Sequence, residues 1–238
     1  MELSGRTILI TGGTSGIGKA LAQELKKQNL VMVTGTNPQR LDEAAQSGLI
    51  AVRCDLAQIH EIEELVTFIE RDIQSLDVLI NNAGVQNNYD FANTTAPLKK
   101  VEQEITINLT GAIQLTQLLL PTLLTKPSHI INVTSALGAV PKSDGLVYSA
   151  SKAGLKNFTQ GLRKVLAKEA ISIHELVPPV TDTAMTAGRE EKKMPPEQLV
   201  QIALRQLGTG KLLLAPAKIR FFLWLSRVMP GVANRIIR

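Results

Sequence analysis

Apolar residues along this chain gather into short, nearly uninterrupted runs: TILIT at 7–11, LVMVTG at 30–35, LIAVRC at 49–54, DVLINN at 77–82, HIINVTS at 129–135, ISIHELV at 171–177 and KLLLA at 211–215. Runs of this kind, rather than strict alternation, suit strands buried on both faces. Between them, residues 17–28, 59–75, 98–125, 148–169 and 195–206 place apolar positions three and four apart, the period of helices with one buried stripe. Strands alternating with helices need crossover connections. The pattern therefore predicts an α/β fold, a doubly wound, mostly parallel seven-stranded sheet with helices on both faces. No repeat, low-complexity tract or long linker divides the chain, so a single domain over 1–238 is expected. Segment 178–196, PPVTDTAMTAGREEKKMPP, keeps neither period; it reads as a lid over a substrate or as a solvated connection.

Composition narrows the class. With 44% hydrophobic and 20% charged residues in 238, the chain can bury one substantial core. Its single cysteine, Cys54, cannot form an internal disulfide, which fits a reducing cytoplasm. The opening MELSGRTILITGG has too short an apolar run for a signal peptide, and no stretch reaches the roughly 18 to 20 apolar residues that span a bilayer. The net charge of +5 belongs to the tail: residues 211–238 hold Lys211, Lys218, Arg220, Arg227, Arg235 and Arg238 and no acid. That placement, with 3% aromatic residues, argues against a nucleic-acid partner. His60, His129 and His174 are scattered, so no metal site is expected.

Two motifs carry chemistry. The first strand runs into TGGTSGIGKA, and glycines at 12, 16 and 18 allow a tight turn whose backbone N–H groups, with a helix N-terminus, can approach a pyrophosphate. In GLVYSASKAGLKNF, Tyr148 precedes Lys152 by four residues, so a phenol and an ammonium share one helical face. Ser135 closes the fifth strand, 13 residues before Tyr148.

Together these features resemble the short-chain dehydrogenase/reductases, whose T-G-x-x-x-G-x-G turn matches Thr11 to Gly18 and whose N-N-A-G motif stands at Asn81, Asn82, Ala83 and Gly84. The resemblance covers nearly the whole chain. It implies a Rossmann-type fold, a nicotinamide cofactor, and a catalytic set of Asn108, Ser135, Tyr148 and Lys152. A carbonyl that accepts hydride at carbon must accept a proton at oxygen, and a phenol of ordinary pKa about 10 releases it reluctantly at neutral pH. A cation at Lys152, joined by the positive ring of the oxidised nicotinamide, is expected to lower that pKa, so that Tyr148 acts as acid in reduction and base in oxidation. Ser135 would hydrogen-bond the substrate oxygen. By the same resemblance, Lys152 binds the nicotinamide ribose and Asn108 holds a water linking it to solvent. Cofactor contacts are expected from Gly12, Thr14, Ser15, Gly16, Ile17, Gly18, Asp55, Leu56, Asn82, Ala83, Gly84, Pro178, Val180 and Thr183; Asp55 could equally cap the turn that follows it.

Where NAD-preferring relatives place an acid after the second strand, this chain has Gly35, which favours NADP(H) while leaving NAD(H) open; the adenosine phosphate would then rest on Thr36, Asn37 and Arg40. After the sixth strand VPPV departs from the family's Pro-Gly, because Pro179 fixes φ and donates no N–H. The double proline and the tail IRFFLWLSRVMPG are similar to the DltE-like subgroup. Leu137, Val140, Val180, Met185 and Met194 are candidate substrate contacts and suggest an apolar carbonyl compound. The tail has two readings, a segment packed against a partner subunit or the pocket, and a basic amphipathic helix at a membrane surface. Resemblance further implies a homodimer or homotetramer through helices 98–125 and 148–169. The expected activity is NADP(H)-dependent carbonyl reduction or alcohol oxidation on a small molecule, the alternative a cofactor-binding regulatory or scaffold protein without turnover.

Overall fold

The computed structural model describes residues 3–92 and 97–237; Arg238, one of the tail cations, lies outside them. Seven parallel strands, β1 (Thr7–Ile10), β2 (Leu30–Gly35), β3 (Ile50–Arg53), β4 (Val78–Asn81), β5 (Ser128–Val133), β6 (Ile171–Leu176) and β7 (Leu213–Leu214), form one sheet in the order β3-β2-β1-β4-β5-β6-β7. The order reverses between β1 and β4. At such a switch point the connections diverge to opposite faces and leave a crevice beyond the carboxyl ends of the strands.

Successive residues of each strand feed opposite layers. Ile8 and Ile10 pack with helices α1 (Gly16–Leu25), α2 (Pro38–Gln46) and α7 (Pro196–Gly208), whereas Leu9 packs with α3 (Ile59–Phe68) and α5 (Gly111–Leu123). Both layers are fully covered, which is why the strands read as apolar runs. Helix α6 (Leu146–Val165) follows β5 and carries the Tyr148/Lys152 face.

The predicted helix 98–125 is α4 (Leu98–Ile105), a π-helical turn Thr106–Thr110, and α5, with Gly111 N–H reaching back to the Thr106 carbonyl. A second π turn, Ile69–Ile73, ends α3 at Gln74, whose φ is 60°. Helix α2 was not among the expected helices: only Ala44 is buried on it, so it has almost no apolar stripe to read. The tail folds as α8 (Ala217–Val228) and α9 (Pro230–Ile236). No helix among the described residues is long and apolar enough to cross a membrane.

Candidate active site

The turn after β1 is fastened to the end of β4, across the switch point. Buried Thr11 accepts the backbone N–H groups of Asn82 and Ala83 at Oγ1, both at 3.0 Å. The Asn82 amide returns bonds to the carbonyls of Thr11 (2.9 Å) and Gly12 (3.2 Å). Gly12 sits at φ +62°, and a Cβ on Gly18 would stand 2.4 Å from both the Gly12 oxygen and Asn82 Nδ2. Only glycine fits this turn, and at the α1 N-terminus Ser15 holds the N-cap position without a side-chain hydrogen bond to the helix amides. Thr183 reaches the same turn from the segment after β6: its Cγ2 would be 3.1 Å from a Cβ on Gly16.

Around Gly84 two further elements meet, the π turn and α6, since a side chain there would touch Asn108 Oδ1 (3.2 Å) and Lys152 Nζ (3.4 Å). Asn108 is fully buried in the π turn; Oδ1 accepts Val85 N–H (2.8 Å), and Nδ2 donates to the Val85 carbonyl (2.8 Å) and Ser151 Oγ (3.1 Å). A π turn shifts the helix register by one residue and is frequent at functional sites. Lys152 Nζ lies 5.8 Å from the centroid of the Tyr148 ring and donates to the Val133 carbonyl at 2.9 Å. Ser135 begins a short 3₁₀ turn, Ala136–Gly138, accepting Leu137 N–H at 3.1 Å while its hydroxyl also meets Tyr148.

Burial dominates the electrostatics here. It pushes the Tyr148 phenol up to about 12; Ser135 and the Arg189 guanidinium pull against it, and Glu104 adds to it. Burial likewise brings Lys152 down to about 8. The sequence-based expectation that Lys152 lowers the phenol is thus reversed in the protein alone. The ring is 9% exposed, and the ammonium proton is aimed at the Val133 carbonyl rather than at the phenol oxygen.

A family model described as short chain dehydrogenase matches residues 6–194. The Bacillus subtilis (strain 168) protein named uncharacterized oxidoreductase DltE is 34% identical over 221 residues, covering 89% of this chain and 88% of that protein. The chain belongs to the short chain dehydrogenase family. Among solved structures, a short chain dehydrogenase from Burkholderia cenocepacia J2315 in complex with NADP superposes with a TM-score of 0.88 at 21% identity, over 100% of this chain and 99% of that one. A Burkholderia phymatum short chain dehydrogenase/reductase in complex with NAD gives 0.86 at 16%, over 98% and 96%. At these identities the likeness is one of fold.

In this short chain dehydrogenase several expected contacts have other local duties. Asn37 Oδ1 accepts Arg40 N–H (3.0 Å) and caps α2, so the residue's first role is to start that helix. Asp55 Oδ1 accepts Ala57 N–H (2.9 Å), closing the turn after β3, and the Leu56 side chain is buried in the α3/α5 layer. Asn81, first residue of the N-N-A-G motif, turns into the core and donates to Thr116 (3.0 Å) and Asn132 (2.8 Å). Val140 is 3% exposed and packs with Phe222 and Ala233, and half-buried Met194 packs with the α1/α7 layer. Leu137 stays beside Ser135, Met185 is 42% exposed in a 3₁₀ turn, and Pro178 and Val180 are half-buried.

Sequence reasoning missed a polar group on the other side of Tyr148. Glu104, one turn before Asn108 and fully buried, has its carboxyl raised by burial, with Asn87 and Tyr89 drawing it back. Arg189 donates to Gln86 Oε1 at 2.8 Å, bridging the segment after β6 to the loop after β4. The four-residue spacing of Glu104 and Asn108 was a usable signal. Arg189 and Gln86 lie 103 residues apart, and nothing local links them.

Proposed function

We propose that this enzyme is an NADP(H)-dependent oxidoreductase that interconverts a small carbonyl compound and its alcohol, with Tyr148 as general acid and base. The observation that carries this reading is the meeting of Asn108 and Lys152 at Gly84, with the Tyr148 ring beside Lys152 and Ser135 against Tyr148, at the carboxyl end of the sheet where the Gly12–Gly18 turn also lies. Complexes of the structural neighbours with NADP and with NAD support a nicotinamide dinucleotide as the cofactor. The chain's residues fit such a group. The glycine turn is a cradle that a Cβ would fill, and Thr183 stands across from it.

Bound there, a reduced nicotinamide supplies hydride to the carbonyl carbon. Ser135 donates a hydrogen bond to the carbonyl oxygen and Tyr148 delivers the proton that makes it an alcohol. A phenol held at about 12 keeps its proton at neutral pH until negative charge develops on the substrate oxygen. Lys152, fixed by the Val133 carbonyl, then stabilises the resulting phenolate, and Asn108 beside it links the pair toward solvent.

The preference for NADP(H) rests on β2. A Cβ at Gly35 would lie 2.7 Å from Thr14 Oγ1, so an acid that repels the adenosine phosphate has no room. Thr36 and Arg40 are exposed at the same strand end, and a guanidinium can grip phosphate with two bonds. The test is consumption of NADPH and of NADH against a panel of aldehydes and ketones. NADPH should be used with the higher kcat/KM, and Arg40→Gln should reduce that value roughly tenfold without affecting NADH. Equal use of both overturns the preference. Tight NADPH binding with no turnover across the panel overturns the reductase reading in favour of a cofactor-binding regulator.

A further inference from the structure

Helix α8 has two apolar faces, and only one of them is covered. Phe222 packs on Val140 and Ala233, and Leu223 on Val177 and Ala215, which anchors the helix behind the turn that follows Ser135. The opposite face carries Phe221 (61% exposed) and Trp224 (56%), with ring centroids 5.7 Å apart, and Val228, Met229 and Ile236 are each more than half exposed beyond them. Lys218, Arg220, Arg227 and Arg235 are exposed around this surface, and no acid occurs in the sequence after Glu197. The buried face prevents α8 from rolling to hide its rings.

A partner must therefore offer an apolar medium and negative charge together. A second copy meeting this patch across a two-fold axis would bring the same cations against one another with no carboxylate to answer them. We infer that the outer face of α8 and α9 docks on an anionic lipid bilayer, with Phe221 and Trp224 in the interfacial region and the arginines at the headgroups. Aromatic rings beside cations on a short helix suit a segment that lies in the interface. If the oxidoreductase reading holds, docking also sets the Ser135 edge at the membrane surface; the docking itself does not depend on that reading.

The chain's only tryptophan is Trp224, so its emission reports directly on this face. Full-length protein is mixed with vesicles of phosphatidylglycerol and phosphatidylcholine, or of phosphatidylcholine alone, and followed by co-sedimentation and fluorescence. Binding should be at least roughly tenfold stronger to the phosphatidylglycerol vesicles, with a blue shift of the emission. Phe221→Ser/Val228→Ser should abolish the shift, and Arg220→Gln/Arg227→Gln should remove the preference for anionic lipid, both with native circular dichroism. Natively folded protein that stays in the supernatant with phosphatidylglycerol overturns the inference. So does binding that survives Phe221→Ser/Val228→Ser unchanged, which would be plain charge adhesion. A dimer in sedimentation velocity that Phe221→Ser/Val228→Ser splits would make the face a subunit interface and overturn it as well. None of these readouts depends on turnover.

Discussion

Both ends of the sheet bury polar groups but treat them differently. Near the N-terminal end, Asp77 accepts Thr7 N–H at 2.7 Å and pairs with Lys126 (3.0 Å) and Arg6 (3.2 Å). Burial draws its carboxyl upward, and these three partners more than reverse that, leaving it below the usual range. His129 Nδ1 meets His174 Nε2 at 3.1 Å, and His174 Nδ1 meets the Lys211 carbonyl at 2.9 Å. At the C-terminal end, Lys152 meets a carbonyl rather than a carboxylate, Arg189 meets a neutral amide, and Tyr148 is pushed to about 12. Charge that is closed by its partners stabilises a fold. Charge that is buried and left open can respond to a substrate.

The sharpest break in that comparison is a pair of substitutions with opposite signatures. Tyr148→Phe should cut turnover about a thousandfold, because it removes the proton donor, while cofactor affinity and melting temperature stay close to wild type. Asp77→Ala should do the reverse. Leaving Arg6 and Lys126 without their carboxylate should cost about 2 kcal/mol in urea unfolding, with turnover per folded molecule unchanged; these cations are about one-third exposed, so the loss falls below that of a fully buried pair. Normal turnover by Tyr148→Phe would show that the spacing of Tyr148 and Lys152 is not chemistry.

The histidine pair extends the contrast to pH. Burial, with the neighbouring His174 and Arg6 adding to it, lowers His129 to about 4, and burial lowers His174 as well. The unfolded chain takes up these protons near the ordinary imidazole value, and the native protein resists until a lower pH. Stability is therefore complete above that ordinary value and is lost as pH falls toward 4, by about 3 kcal/mol for His129 alone. Urea midpoints at neutral and mildly acid pH measure the loss, and His129→Gln should flatten the dependence. An unchanged midpoint would mean that the pair is open to water.

How much of this was legible follows from how local each signal is. The strands and their alternation with helices show in the sequence because the interior strands are buried on both faces and read as apolar runs, while the edge strand β3, only partly buried, keeps the apolar residues Ile50, Ala51 and Val52. The Thr11–Gly18 turn and the Tyr148/Lys152 face show because each lies within one element. Helix α2 has almost no apolar stripe, so its only local mark is the Asn37 cap followed by Pro38, which periodicity does not register. The spacing of Tyr148 and Lys152 gives their distance but not the depth of burial, and in the protein alone depth decides the balance and raises the phenol. Val140 and Met194 look like pocket residues until α8 and α7 are seen to cover them.

The finest test lies within the C-terminal end itself. Glu104 raises the Tyr148 phenol and Arg189 lowers it, so substitutions at the two should move it in opposite directions. Alcohol oxidation needs the phenolate and rises with pH toward the phenol's value; over that limb Glu104 is ionised, although burial raises its carboxyl. Glu104→Gln should move the limb about half a pH unit down, and Arg189→Leu about half a unit up, with smaller changes in maximal rate than Tyr148→Phe produces. Initial rates of alcohol oxidation across the alkaline range read both shifts. Opposite movement makes these two charges part of the catalytic balance. Movement in the same direction, or none, would class buried Glu104 and half-buried Arg189 with Asp77, as charge that serves only the fold.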